Sequence, residues 1–392
     1  MPHTNNPARD ADYSTSRLTQ RYRFDDPNMD LFFVGTLGWG PAGGLSIGEA
    51  FHVAAQITDG DGVSWARAFE HHGIVQDEQA NVWQRRGCRR AAGEARLKAF
   101  ASYRMAWQFV APGERFISLF RIQQELFERA MVELDLPATR FVVPYSGGQL
   151  PGHFYRSKDP DAPTILVLGG ADTCHEDRFL SQGRHYFERG YSVALVDLPG
   201  QGLVQAQGLH WEPETERPIA AVLDELLGRF GVDPSKLALL GMSLGGYFAC
   251  RAAAHERRLA AVIATPALPR PEELLLAGAA ERGAASDAAR KNLQVVLWKA
   301  GAANAAELLR RWSGVAADPR DVHVPFLSVV GEQEGAVWKR QTKEWHAAIP
   351  SVQKRLVILD SQTGADAHCQ GNNPLRLVQE TDGWLREVLR QR

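Results

Sequence analysis

The chain has 392 residues, 44% of them hydrophobic and 23% charged, a balance that excludes disorder as the dominant state and supports a sizeable core without disulfide or metal staples. At ~150 residues per domain, this length fits two to three domains or one large domain with an elaboration. Forty-four Lys and Arg against 46 Asp and Glu leave a net charge of -2, so no overall field draws the chain to nucleic acid or to a membrane surface.

The first twenty residues are polar and lack the apolar segment of a secretory signal. The uncharged run from Leu31 to Gly48 holds Pro41 and six glycines, too many helix breakers for a membrane span. From Leu31 to about Glu133 the pattern is helical. Apolar residues recur at three- and four-residue spacing in Trp65 and Phe69, in Phe100 to Phe109, and in Phe116, Leu119, Phe120 and Phe127. Residues 1–138 are therefore read as a helical domain.

From about Thr139 short β-rich runs alternate with helices. Strands are expected at Phe141–Pro144, Ile165–Leu168, Val193–Val196, Leu237–Leu240, Ala261–Ala264, Phe326–Val330 and Leu356–Leu359. Such alternation predicts an α/β fold with a mostly parallel, doubly wound sheet over residues 139–392. The long gap before Phe326 is rich in Ala and Leu and reads as a helical insertion, about 270–321, over the C-terminal edge of the sheet. Four cysteines (Cys88, Cys174, Cys250 and Cys369) stand far apart without a CxxC pair. They read as reduced thiols in a cytoplasmic protein, and nothing in the residues demands a metal or an organic cofactor.

Gly241-Met242-Ser243-Leu244-Gly245 fits G-x-S-x-G, with an apolar strand entering it and a helical run leaving it. A strand that turns sharply into a helix lifts the serine hydroxyl above the sheet, and small residues at 241, 245 and 246 let neighbouring backbone approach. The serine needs a base, and His368 sits in the loop after the last strand, beside the elbow. Glu334 follows the strand Phe326–Val330 and is the first choice for the acid that orients the imidazole. Glu332, Asp360 and Asp366 are rivals. The chain order Ser243, Glu334, His368 is that of an α/β-hydrolase triad. Two backbone N–H groups, of Leu244 and of Ala171 in the turn Gly169-Gly170-Ala171-Asp172, are the expected oxyanion donors. The turn Asp197-Leu198-Pro199-Gly200-Gln201-Gly202 reads as structural.

The run from about Thr139 onward resembles the α/β-hydrolase superfamily. The GGADT turn, DLPGQG, GMSLGG and the GADAHCQ loop are similar to one branch of it: the fermentation-respiration switch esterases, the 2,6-dihydropseudooxynicotine hydrolases and fungal hydrolases that shorten polyketide pigments. GVSWARAFEHHG and AFASYRMAWQF resemble the helical N-terminal domain that covers the site in that branch. The resemblance implies a Ser243 nucleophile and a His368 base. It also implies a small-molecule substrate with an ester or a 1,3-dicarbonyl carbon–carbon bond, and it admits a homodimer. One departure is that the acid position usually holds Asp and here holds Glu334. Gly170, Tyr103 and Trp107 are candidate substrate contacts. An acyltransferase or cyclase with the same triad, and a binding protein on a hydrolase fold, are the alternatives.

Three further patterns carry competing readings. Gly38-Trp39-Gly40-Pro41-Ala42-Gly43 fits G-x-G-x-x-G and follows an apolar run, but a dinucleotide site needs a helix and then a second strand ending in an acidic residue about twenty positions on, and a helix through Ala55 leaves no room for that strand before Asp59 and Asp61. Arg85, Arg86, Arg89 and Arg90 read as a solvated helix start, or else as a site for a substrate anion. The adjacent His71 and His72 point in different directions on a helix and make poor joint metal ligands.

Overall fold

The computed structural model describes residues 16–389, apart from residue 19 and residues 281–285. Five helices come first: α1 (Pro27–Gly38), α2 (Ile47–Ala54), α3 (Gly62–Arg85), α4 (Arg89–Ala106) and α5 (Glu114–Glu133). Their starts are written locally. Asp26 accepts the N–H groups of Asn28 and Met29 ahead of Pro27, Ser46 and Glu49 form a reciprocal cap on α2, and Asp61 caps α3. In α5, Phe116, Leu119, Phe120, Gln123, Leu126, Phe127 and Ala130 share one buried stripe at helical spacing.

The sheet has eight strands in the order β1-β2-β4-β3-β5-β6-β7-β8. They are β1 (Ala138–Tyr145), β2 (Gly148–Tyr155), β3 (Thr164–Leu168), β4 (Ser192–Val196), β5 (Leu237–Met242), β6 (Ala261–Thr265), β7 (Phe326–Gly331) and β8 (Lys354–Leu359). Strands β3 to β8 run parallel, while β2 pairs antiparallel with both β1 and β4. The sequence reading lacked β2. Gly148, Pro151 and Gly152 dilute its apolar pattern, and the strand is set instead by a two-residue turn. Ser146 and Gly147 both have positive φ, at 45° and 83°, as a tight hairpin requires.

Side chains alternate across the sheet as strand geometry demands. Ile165, Val167, Val193, Leu195, Ala238 and Leu240 enter one apolar cluster, which continues without a break into Trp65, Phe100 and Phe127 of the N-terminal helices. Leu166, Leu168, Ala194, Val196, Leu237 and Leu239 enter a second cluster. The remaining helices are α6 (His175–Arg178), α7 (Arg184–Glu188), α8 (Glu216–Gly228), α9 (Leu244–His255), α10 (Pro271–Ala280), α11 (Asp287–Ala300), α12 (Ala305–Arg311), α13 (Ala336–Ala348) and α14 (Pro374–Leu389). Helices α10 to α12 fill the gap between β6 and β7, where the insertion was expected. Among the described residues no helix is long and apolar enough to cross a membrane.

From β3 the chain passes to β4 on one side, and β5 lies on the other. That reversal opens a crevice at the C-terminal ends of β3 and β5, where ligands bind in open parallel sheets.

Candidate active site

Strand β5 ends at Met242 and α9 begins at Leu244, leaving Ser243 alone to make the turn. Its φ of 57° and ψ of -120° lie outside the ordinary regions for a residue with a side chain. The turn is possible because its neighbours lack Cβ atoms. A Cβ on Gly241 would stand 1.9 Å from the carbonyl oxygen of Gly245, and one on Gly246 would stand 1.9 Å from that of Pro266.

His368 Nε2 lies 2.9 Å from Ser243 Oγ, and its Nδ1 lies 2.6 Å from Glu334 Oε2. The other oxygen of Glu334 accepts the N–H of Gly331 at 3.0 Å. The longer side chain thus folds back on the end of its own strand, and both oxygens are engaged. The rival acids are committed elsewhere or turned away. Asp366 accepts from Gln333 at 2.6 Å and from Asn372 at 2.8 Å, Asp360 accepts the N–H of Thr363, and Glu332 is exposed. Burial disfavours a charged His368 ring, but the adjoining Cys369 sulfur and the Glu334 carboxylate outweigh it, so the pKa is raised from the ordinary histidine value.

The loop after β3 presses against the serine, and a Cβ on Gly170 would stand 2.6 Å from Ser243 Cβ. Each carbonyl in the loop is tied to a side chain. Gln201 Nε2 donates to Gly169 and Gly170 at 2.6 and 3.0 Å, and Thr173 Oγ1 donates to Gly170 at 3.1 Å. Lys299 Nζ donates to Ala171 at 2.8 Å, and Arg104 Nη2 to Asp172 at 2.6 Å. A trans peptide points its N–H opposite to its carbonyl. Fixing the Gly170 carbonyl therefore aims the Ala171 N–H away from Gln201. The N–H of Leu244 is the first of α9 and has no acceptor within its helix. Gln201 belongs to the turn that the sequence analysis treated as structural; a glutamine flanked by glycines between strand and loop was the available signal.

Ser243, His368, Gly170 and Ala171 line a pocket of about 110 Å³, together with Leu31, Phe32, Trp39, Met105, Arg17, Arg104, Asp172 and Arg178. Tyr103 and Trp107 are not among the lining residues, contrary to expectation. Tyr103 packs against Gly73 of α3, and Trp107 lies behind Arg104, whose guanidinium sits 4.0 Å from the ring centre. Both serve the helical core. The apolar wall comes instead from Leu31 and Phe32 of α1, from Trp39 just after it and from Met105 of α4. Gly38 ends α1 and, among the described residues, no strand precedes it, so the dinucleotide reading of Gly38 to Gly43 has no support. His72 is buried against Ser102, with burial pushing its pKa down to about 4, and His71 is exposed; neither lines the pocket. Arg85, Arg86, Arg89 and Arg90 are exposed. Cys174 contacts Gln123 and Cys369 contacts the Thr265 carbonyl, so the two loop thiols do not meet.

Among the described residues, His175, Glu176 and Asp197 bring possible metal-ligand atoms within 4.8 Å of one another. The hydrogen bonds favour a proton there. His153 Nε2 donates to Glu128 at 2.9 Å, which leaves His153 Nδ1 to accept from His175 Nε2 at 3.1 Å. The other nitrogen of His175 lies 2.8 Å from Asp197 Oδ2. Both nitrogens of His175 then donate, and the ring is a buried imidazolium.

The model of the alpha/beta hydrolase family matches residues 165–391. Curated relatives include hydrolase ORFZ of Pyricularia oryzae, 32% identical over 254 residues that make up 59% of each chain. Another is the 20-hydroxy-prefusarin hydrolase FUS2 of Gibberella moniliformis, 31% identical over 57% of each chain. This chain spans about three fifths of the length of the curated relatives it matches. Among solved structures, 2,6-dihydroxy-pseudo-oxynicotine hydrolase superposes with a TM-score of 0.70 at 23% identity, covering 90% of this chain and 95% of that one. AbyA5 superposes with a TM-score of 0.68 at 17% identity, covering 94% and 99%. These two share the fold. The chain belongs to the alpha/beta hydrolase family.

Proposed function

We propose that this protein is a serine hydrolase acting on a carbonyl substrate, with Ser243 as nucleophile, His368 as base and Glu334 as the acid that orients it. The observation that carries this reading is the unbroken hydrogen-bonded chain from Glu334 through His368 to Ser243 at the head of α9. His368 takes the hydroxyl proton as Ser243 Oγ attacks the carbonyl carbon. The N–H groups of Ala171 and Leu244 hold the oxyanion. The His368 imidazolium then protonates the leaving group, and water, activated by the same ring, releases the acyl group.

The substrate class in this reading is an ester, or a 1,3-dicarbonyl cleaved at the carbon–carbon bond next to a ketone. In the second case the leaving group is an enolate, whose charge the neighbouring carbonyl delocalises. The printed name of the relative from Gibberella moniliformis, a 20-hydroxy-prefusarin hydrolase, supports a polyketide-like or aromatic small molecule. So does the apolar wall of Leu31, Phe32, Trp39 and Met105. The helices α1 to α5 act as the cover of the site, and the sheet from β1 onward as the catalytic part.

The test is turnover of a panel of aryl esters and aryl 1,3-diketones, read by product mass. Products that gain the elements of water, formed by the wild type and not by Ser243→Ala, are expected. Turnover retained in Ser243→Ala contradicts the assignment.

A further inference from the structure

The surroundings of the pocket hold more cation than anion. Arg17 pairs with Asp172 at 3.2 Å. Asp177 is fully buried and serves two guanidiniums at once, accepting Arg104 Nε on Oδ2 at 2.5 Å and Arg178 Nε on Oδ1 at 2.7 Å. Lys299, also buried, donates to a carbonyl rather than to a carboxylate. Among the described residues, the three arginines form ion pairs with only two carboxylates, while Lys299 makes no ion pair and feels Asp172 and Asp197 at longer range. A buried charge without a full partner is costly, so a bound anion would be favoured here.

The two arginines that share Asp177 differ in what remains open. Arg104 has all three nitrogens engaged, on Asp177, on Gln108 Oε1 at 2.9 Å and on the Asp172 carbonyl. Arg178 has Nε on Asp177 and Nη1 on the Met242 sulfur at 3.4 Å, and a thioether is a weak acceptor. Met242 is the residue before Ser243. Arg178 lines the same pocket as Ser243, and a Cβ on Gly169 of the neighbouring loop would stand 3.3 Å from Arg178 Cδ. A guanidinium fork matches two oxygens that share one negative charge.

We propose that Arg178 binds an anionic oxygen pair of the substrate, a carboxylate, next to the carbonyl that Ser243 reaches. The proposal rests on the reading of this pocket as the substrate site, and it narrows the substrate class to molecules that carry such a charge. It assigns Arg178 to binding rather than to the acyl-transfer steps.

The experiment is calorimetric titration of the Ser243→Ala protein, where turnover plays no part. One arm compares benzoate with benzamide. The other compares phenylacetate with phenylacetamide. In at least one arm the anion should bind roughly ten- to a hundredfold more tightly than its neutral partner, the worth of one charge-assisted contact. In Ser243→Ala/Arg178→Gln that preference should collapse while the neutral probe binds within about twofold of its former affinity. Equal binding in both arms, or no binding of either anion at millimolar concentration, overturns the proposal without needing the second variant. A preference that survives Arg178→Gln overturns it too. Labelling of wild-type Ser243 by a fluorophosphonate is a separate readout, so loss of the anion site and loss of the nucleophile assignment are told apart.

Discussion

His368 Nε2 stands 2.9 Å from Ser243 Oγ, although 125 residues separate them in the chain. The contact closes because the loop carrying His368 lies back across two strand ends. The Asp366 carbonyl accepts the N–H of Gln333 after β7, and Gln370 accepts the hydroxyl of Thr265 at the end of β6. Two residues that act as one unit fail together. Ser243→Ala and His368→Ala are each expected to lower kcat by roughly 10³- to 10⁶-fold, and the double variant is expected to fall no further. Steady-state kinetics on the three proteins, with circular dichroism to confirm the fold, check this; additive losses would contradict the unit.

Against the opposing effect of burial, Cys369 and Glu334 together raise the proton affinity of His368. A protonated ring cannot act as base, so kcat/KM should fall on the acid side. Because the pKa is raised, the midpoint of that fall should lie above about 6.5. Glu334→Gln removes a carboxylate that favours the charged ring and should move the midpoint to lower pH. Glu334→Asp is too short to keep both Gly331 and His368 and should cost roughly 10- to 100-fold in kcat. A pH–rate profile of each variant provides the measurement.

In the proposed reading Gln201, which does not line the pocket, positions the loop that carries the Ala171 donor. Gln201→Ala frees the carbonyl of Gly169 and leaves that of Gly170 to Thr173 alone. It should lower kcat by roughly 10- to 10³-fold, up to the cost of losing an oxyanion donor outright, with KM little changed. A rise in KM at constant kcat would instead mark a purely structural role.

The buried His175 makes a prediction about stability. Burial opposes its charge, but Glu176 and Asp197 outweigh it and push its pKa up to about 9. A pKa raised above the unfolded value stabilises the fold fully below that unfolded value, about 6.5. This contribution is lost as pH rises through the folded value. The melting temperature should therefore drop between about pH 6.5 and 9 in the wild type. His175→Gln should be less stable at neutral pH and show a shallower drop. Thermal unfolding across that range reads both.

The parallel strands β3 to β7 were legible as short apolar runs because both of their faces are buried, and the elbow was legible because G-x-S-x-G sits between a strand and a helix. Strand β2 was not, since a Ser-Gly turn rather than periodicity sets it. The helical residues Tyr103 and Trp107 looked like pocket walls because aromatic spacing alone does not say which partner a helix face meets; here the partners are α3 and α5. Arg178 and Gln201 escaped notice for a related reason. What they meet, the Met242 sulfur for Arg178 and the Gly169 and Gly170 carbonyls for Gln201, is supplied by other segments, and beyond the glycines flanking Gln201 no local pattern records it.

The central claim is an activated Ser243, and intact-mass analysis after treatment with a fluorophosphonate tests it most directly. The account predicts one adduct on the wild type, none on Ser243→Ala, and strongly slowed labelling of His368→Ala. An adduct of equal extent on Ser243→Ala, or a wild type that stays unlabelled even by a small ester-sized probe, would contradict it.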